Sequence, residues 1–264
     1  STGSGTGGAV TIGSGDSNNL AGGSMTLTSG SSTAGGAGGD FSIEAGRATG
    51  NYAGGLFSVS AGRGGTVGGA IKITSGTGDS SIGGMISILS GTGTASTSGQ
   101  IYIRTPDSNN ANGVSGALVF SSGVSSSGAS GSISIGTGTA AGGEGGDISV
   151  DVGTSSTTAG GAVSLGAGST GADGANGGNV VIQSGSTDST NSAAAGGEMT
   201  LSAGKSSSAT GGLFSLSAGQ GATVGGAIKI TSGTGDSSVG GMISILSGTG
   251  TASTSGQIYI RTPD

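Results

Sequence analysis

A short phrase, Gly-Gly-x-φ-x-φ with φ apolar, recurs from one end of this chain to the other. It runs as Gly7-Gly8-Ala9-Val10-Thr11-Ile12, then Gly22-Gly23-Ser24-Met25-Thr26-Leu27, then Gly38-Gly39-Asp40-Phe41-Ser42-Ile43. It returns as Gly68-Gly69-Ala70-Ile71-Lys72-Ile73 and is still present at Gly240-Gly241-Met242-Ile243-Ser244-Ile245. A further glycine usually follows the second apolar residue by three, as in Leu27-Thr28-Ser29-Gly30. Self-similarity at a short period constrains a fold before any single residue does, because each unit must bury its apolar face on a neighbour.

Within a unit the apolar residues stand two apart: Val10 and Ile12, Ile71 and Ile73, Ile86 and Ile88, Val163 and Leu165, Ile228 and Ile230. Period two is the strand signal. The residue between them points to the other face and is mostly a small hydroxyl residue, such as Thr11, Ser42, Ser87 or Ser164. The sequence therefore predicts an all-β chain without helices: a parallel β-solenoid of about 17 coils, each of roughly 14–19 residues. Such a stack would be roughly 80 Å long at the inter-strand spacing. The five apolar pairs named above are its expected inner face, and glycines are expected at the corners. Small or apolar residues just before the doublet, among them Val67, Ile82, Val224 and Val239, are candidates for the same interior. Residues 1–264 read as one continuous array cut from something longer, with no polar capping unit at either end. A longer period lies above the first: 54–107 and 211–264 differ only as Val59/Leu216, Arg63/Gln220, Gly65/Ala222 and Ile82/Val239.

Composition narrows the classes. Glycine is 66 of 264 residues but proline only 2, without a triplet register, which excludes collagen. Apolar residues in strict register, with a net charge of only -6, argue against a disordered linker. There is no Cys and no His, so neither disulfides nor Cys or His metal ligands are available. Nor does any apolar run approach membrane-spanning length, and no membrane or nucleic-acid partner is expected.

Motifs that resemble catalytic signatures dissolve in this background. Gly166-Ala167-Gly168-Ser169-Thr170-Gly171 fits a dinucleotide fingerprint, but with one residue in four being glycine about four chance matches arise, and no helix follows. Gly78-Asp79-Ser80 and Gly235-Asp236-Ser237 offer a serine without a base. Carboxylates are scattered; Glu144, Asp147 and Asp151 form the one local cluster, and too few units carry Asp for a calcium-binding β-roll. No catalysis and no cofactor are expected.

One polar block stands out. Ile101-Tyr102-Ile103-Arg104-Thr105-Pro106-Asp107 recurs as 258–264, placing Tyr102 with Arg104, and Tyr259 with Arg261, on one face. These four are the candidates for a lateral contact or a glycan-stacking site. A uniform Thr ladder suited to ice binding is not present, because Lys72, Tyr102, Val119 and Val181 interrupt the row. Asn-x-Ser/Thr does not occur, while Ser125-Ser126-Ser127 and Ser155-Ser156-Thr157-Thr158 offer hydroxyls for O-linked sugars.

The GGxφxφxSGxG units, with blocks such as Ser130-Gly131-Ser132-Ile133-Ser134-Ile135-Gly136-Thr137-Gly138, resemble the Gly/Ser/Thr-rich tandem repeats of large secreted proteins of diatoms and related stramenopile algae, and of bacterial surface adhesins. The resemblance implies an extracellular or cell-surface fibre component. The expected role is thus a structural repeat segment of a filament whose partner is itself, by end-to-end or lateral association. The alternatives are an adhesive, polysaccharide-binding module and, third, an ice-binding surface.

Overall fold

In a computed structural model describing residues 7–109, 113–190 and 194–262, the chain repeats one local step. Each step is an extended segment of eight residues followed by a loop. The segments are 8–15, 23–30, 39–46, 55–62, 69–76, 84–91, 99–106, 116–123, 131–138, 146–153, 161–168, 178–185, 197–204, 212–219, 226–233, 241–248 and 256–263. Numbered within a segment, position 1 is glycine in all of them, positions 3 and 5 are apolar in all, and position 7 is Ser, Ala, Thr or Val. Position 8 is glycine except at Pro106 and at Pro263, the expected end of the second copy, which lies outside the described residues.

Extension follows from side chains that meet two residues apart. The Tyr102 hydroxyl donates to Gln100 Oε1, the Tyr259 hydroxyl to Gln257 Oε1, and the Ser149 hydroxyl to Asp151 Oδ2. Thr200 Oγ1 donates to Glu198 Oε1 at 3.0 Å. Residues i and i+2 share a face only where the backbone is extended. Positions 2, 4 and 6 thus form one face, and positions 3, 5 and 7 the other.

Most of the loops are pinched shut at the base. The N–H of the next segment's position 1 donates to the carbonyl of the preceding position 8, as in Gly23 to Gly15, Gly39 to Gly30 and Gly55 to Gly46, all at 2.8 Å. Among the described residues this bond recurs at twelve steps, at 2.8–2.9 Å. It spans as few as seven residues, Gly69 to Gly62, and as many as twelve, Gly197 to Gly185. Segment length is constant and loop length is not.

The pinch explains the glycine doublet. A Cβ on the second glycine would approach the backbone N of the preceding position 8 to between 3.1 Å (Gly55 on Gly46) and 3.6 Å (Gly256 on Gly248). It would also touch the position 7 side chain, 3.2 Å away for Gly84 against Ser75. Position 7 is therefore small, and it supplies most of the partly covered residues: Ala45, Ser75, Ser90, Thr105, Ser184, Ser232 and Ser247. The first glycine is under less constraint. Its Cβ would find ordinary contact, 3.6 Å to the Gly46 oxygen for Gly54, and Ser98, Ser115, Ser130 and Ser255 occupy that position elsewhere.

The β-solenoid expected from the sequence does not form. Among the described residues there is no β-strand and no helix. The reason lies in where the glycine bond closes. A solenoid coil returns each residue beside its equivalent one whole unit earlier, and a ladder of bonds forms between successive strands. Here the backbone closes on a residue seven to twelve positions back, at the base of the intervening loop. Among the described residues no backbone bond joins the middle of one segment to the middle of another. The alternation goes with side chains meeting two residues apart at Gln100/Tyr102, Ser149/Asp151, Glu198/Thr200 and Gln257/Tyr259, but not with stacking into coils.

Nothing is buried. Among the described residues none falls in a core, apolar or polar, and the chain's accessible surface is 25587 Å², where a compact chain of this length exposes about 10,000 Å². Val67, Ile82, Val224 and Val239, candidates for the interior, stand well exposed in the loops. The chain divides into two units, Ser1–Ile133 and Ser134–Asp264, and the same step builds both.

Candidate interaction surface

The pairs expected to line an interior, Val10/Ile12, Ile71/Ile73, Ile86/Ile88, Val163/Leu165 and Ile228/Ile230, all lie on the 3-5-7 face but enclose nothing. Position 3 is 46–58% exposed in every segment but the first, where Val10, with nine residues before it, is 88% exposed. Position 5 is 55–78% exposed in all but the last, where Ile260 reaches 90%. About half or more of every pair lies in water.

Not one charged residue occupies positions 3, 5 or 7 in any segment. All charges within segments stand on the opposite face, among them Asp40, Lys72, Arg104, Asp147, Asp151, Glu198 and Lys229. That face carries the expected lateral-contact residues. Tyr102 and Arg104 do share it, with the Tyr102 ring tied down by Gln100, and Arg104, Pro106, Asp107 and Asn109 border an open shallow recess. Tyr259 repeats the tie to Gln257, with Arg261 two residues on. Asp147 and Asp151 flank Ser149 on the same face, and among the described residues no group of three or more acidic side chains gathers closely enough to hold a metal ion.

Sequence reasoning missed how the loops are braced. Two residues after position 8 stands glycine in one class of loop and Ser or Thr in another. In the glycine class the loop crosses itself: a Cβ on Gly64, Gly78, Gly93, Gly221, Gly235 or Gly250 would fall 1.8–2.6 Å from a carbonyl oxygen of the opposite limb. In the hydroxyl class the side-chain oxygen accepts a backbone N–H further along: Ser17 from Leu20 at 3.0 Å, Ser125 from Gly128 at 3.0 Å, Ser155 from Thr158 at 3.1 Å, and Ser206 from Ala209 at 2.9 Å. Ser32 and Thr170 do likewise for Gly36 and Ala172. These are the local hydroxyl turns that compete with regular secondary structure. Three loops of eight or nine residues add a left-handed glycine, Gly35 (φ 88°), Gly50 (φ 77°) and Gly174 (φ 73°). The recurrence of Gly or Ser/Thr at one fixed offset was the available signal.

Comparison with family models, with curated proteins and with solved structures finds no match.

Proposed function

We propose that this chain is an architectural repeat segment of an extracellular or cell-surface fibre, with no catalytic role. One observation carries the reading: a single segment-and-pinch step is repeated along the chain while no described residue is buried, so its regularity lies in a surface and not in a site. Proteins that act on small molecules converge a few polar groups in a concavity. Here the recesses are open and the acids are spread along one face. The hydroxyl-rich loops, the low charge and the likeness to secreted algal and bacterial repeats support an extracellular setting. Negative-stain electron microscopy of native material tests this. Long fibres of uniform width are expected, and discrete particles would overturn the reading.

A second reading rests on the Tyr102–Arg104 face, where an anchored aromatic ring beside a guanidinium borders an open recess. That combination suits stacking on a sugar ring, and it predicts saturable polysaccharide binding that Tyr102→Ala with Tyr259→Ala abolishes.

A further inference from the structure

We infer that the uncovered 3-5-7 face is an interface with further copies of the same chain, packed in parallel and in register so that each segment meets its own equivalent. The inference rests on the fibre reading and adds its partner, its contact surface and its register.

The first support is energetic. Ordering the backbone of one residue costs at least as much as a single hydrogen bond returns net, and the pinches provide at most one such bond per step. With no described residue buried, the chain's own contacts do not balance the entropy of its ordered segments. Burial must come from outside, and the surface available for it is already arranged: each segment carries two apolar residues on its own uncharged side.

The second is the area. Accessible surface exceeds that of a compact chain by roughly 15,000 Å², whereas a standard stable interface needs only about 1,200–2,000 Å². Covering even part of the apolar face satisfies that requirement. Association of the charge-free faces brings no ionised group out of water, because every segment charge lies on the opposite side.

The occupant is dictated by the repeat. The face presents apolar pairs at a constant spacing within segments of constant length, interrupted by pinched loops. Its complement must repeat with the same step, and a second copy does so by construction. Parallel copies placed side by side bring identical residues together. In register, the apolar pair of each segment meets its own equivalent.

The full 264-residue chain, which lacks Cys, allows a direct test. Leu27, at position 5 of a segment outside the duplicated blocks, is replaced as Leu27→Cys, and Thr26 beside it, on the opposite face, as Thr26→Cys. Mild oxidation is expected to give covalent dimers for Leu27→Cys at least tenfold faster than for Thr26→Cys. Analytical ultracentrifugation at micromolar concentration should show a discrete multimer for the unsubstituted chain. Ile86→Lys with Ile243→Lys should weaken it at least tenfold, and Met85→Lys with Met242→Lys, one residue away on the other face, should leave it intact. A monomer throughout, or equal crosslinking at positions 26 and 27, overturns the proposal. Crosslinking of Leu27→Cys preferentially to Ile43→Cys in a mixed sample overturns the register. Single-chain fibres would remove the paired faces while leaving the fibre reading standing. A small multimer that never elongates would do the reverse.

Discussion

A Cβ placed on Gly64 would lie 1.8 Å from the carbonyl oxygen of Val67. The duplicated loop repeats the relationship at 2.0 Å between Gly221 and Val224. No real atom pair tolerates that distance, so the loop 62–69 exists in its crossed form only with glycine there. Gly65, its neighbour, has nothing within 4 Å, and the second copy carries Ala222 at that place. Gly64→Ala should open the loop and speed tryptic cleavage after Arg63 several-fold, whereas Gly65→Ala should leave the rate unchanged. Equal rates for the two variants would refute the crossing.

The two glycines of a doublet should differ in the same way. Gly55→Ala forces a methyl to 3.1 Å from the Gly46 nitrogen, while Gly54→Ala meets only the Gly46 oxygen at 3.6 Å. Overpacking of this kind costs about 1–3 kcal/mol. Hydrogen exchange at the residue 55 amide, which donates to Gly46, should accelerate markedly in Gly55→Ala and little in Gly54→Ala.

Where a hydroxyl braces the loop, its removal should act locally. Ser155 Oγ accepts the Thr158 N–H and lies 2.9 Å from the Thr158 hydroxyl. Ser155→Ala should remove about 0.5–1.5 kcal/mol of loop stability and raise exchange at the Thr158 amide, with Ser156→Ala as the silent control. The same distinction bears on O-glycosylation. Ser125 and Ser155 are engaged in their turns, which directs any sugar in these loops toward Ser126, Ser127, Ser156 and Thr157; glycopeptide mass spectrometry of native material would locate it.

Net charge supplies a prediction about salt. Each copy carries -6, so copies brought together repel through their loops and outer faces. The screening length falls from about 10 Å at 0.1 M salt to about 3 Å at 1 M. Sedimentation should therefore show the multimer strengthening as sodium chloride rises across this range. Dissociation by salt would mean that ion pairs, and not apolar faces, hold the copies.

Much of the local structure was legible in the residues. Alternation at Ile71-Lys72-Ile73 marked an extended segment with two unlike faces, and Tyr102 and Arg104 do share a face because period two leaves no other choice. The glycine doublets marked the points where backbones approach. What the pattern could not supply was the partner in that approach. A doublet such as Gly38-Gly39 looks the same whether it turns a coil onto the previous strand or pinches the base of its own loop, since both need a residue without a side chain. Val10 and Ile12 read as interior for a related reason: apolar periodicity says that a face must be covered, not which chain covers it. The bracing of the loops escaped because Ser17, Ser125, Ser155 and Ser206 lie in stretches of so many hydroxyls that the fixed offset from the preceding glycine does not stand out.

Where a loop is closed at its neck, residues gained or lost beyond the neck do not disturb the phase of the segments downstream. The stem of seven residues at Gly62–Gly69 and that of twelve at Gly185–Gly197 deliver the chain to the next segment through the same bond. Unequal crossing-over, which copies and deletes whole stretches and is careless about their ends, thus meets little selection against it here. The near-identity of 54–107 and 211–264 is the trace such tolerance leaves, and a gene built this way can lengthen its product without redesigning it.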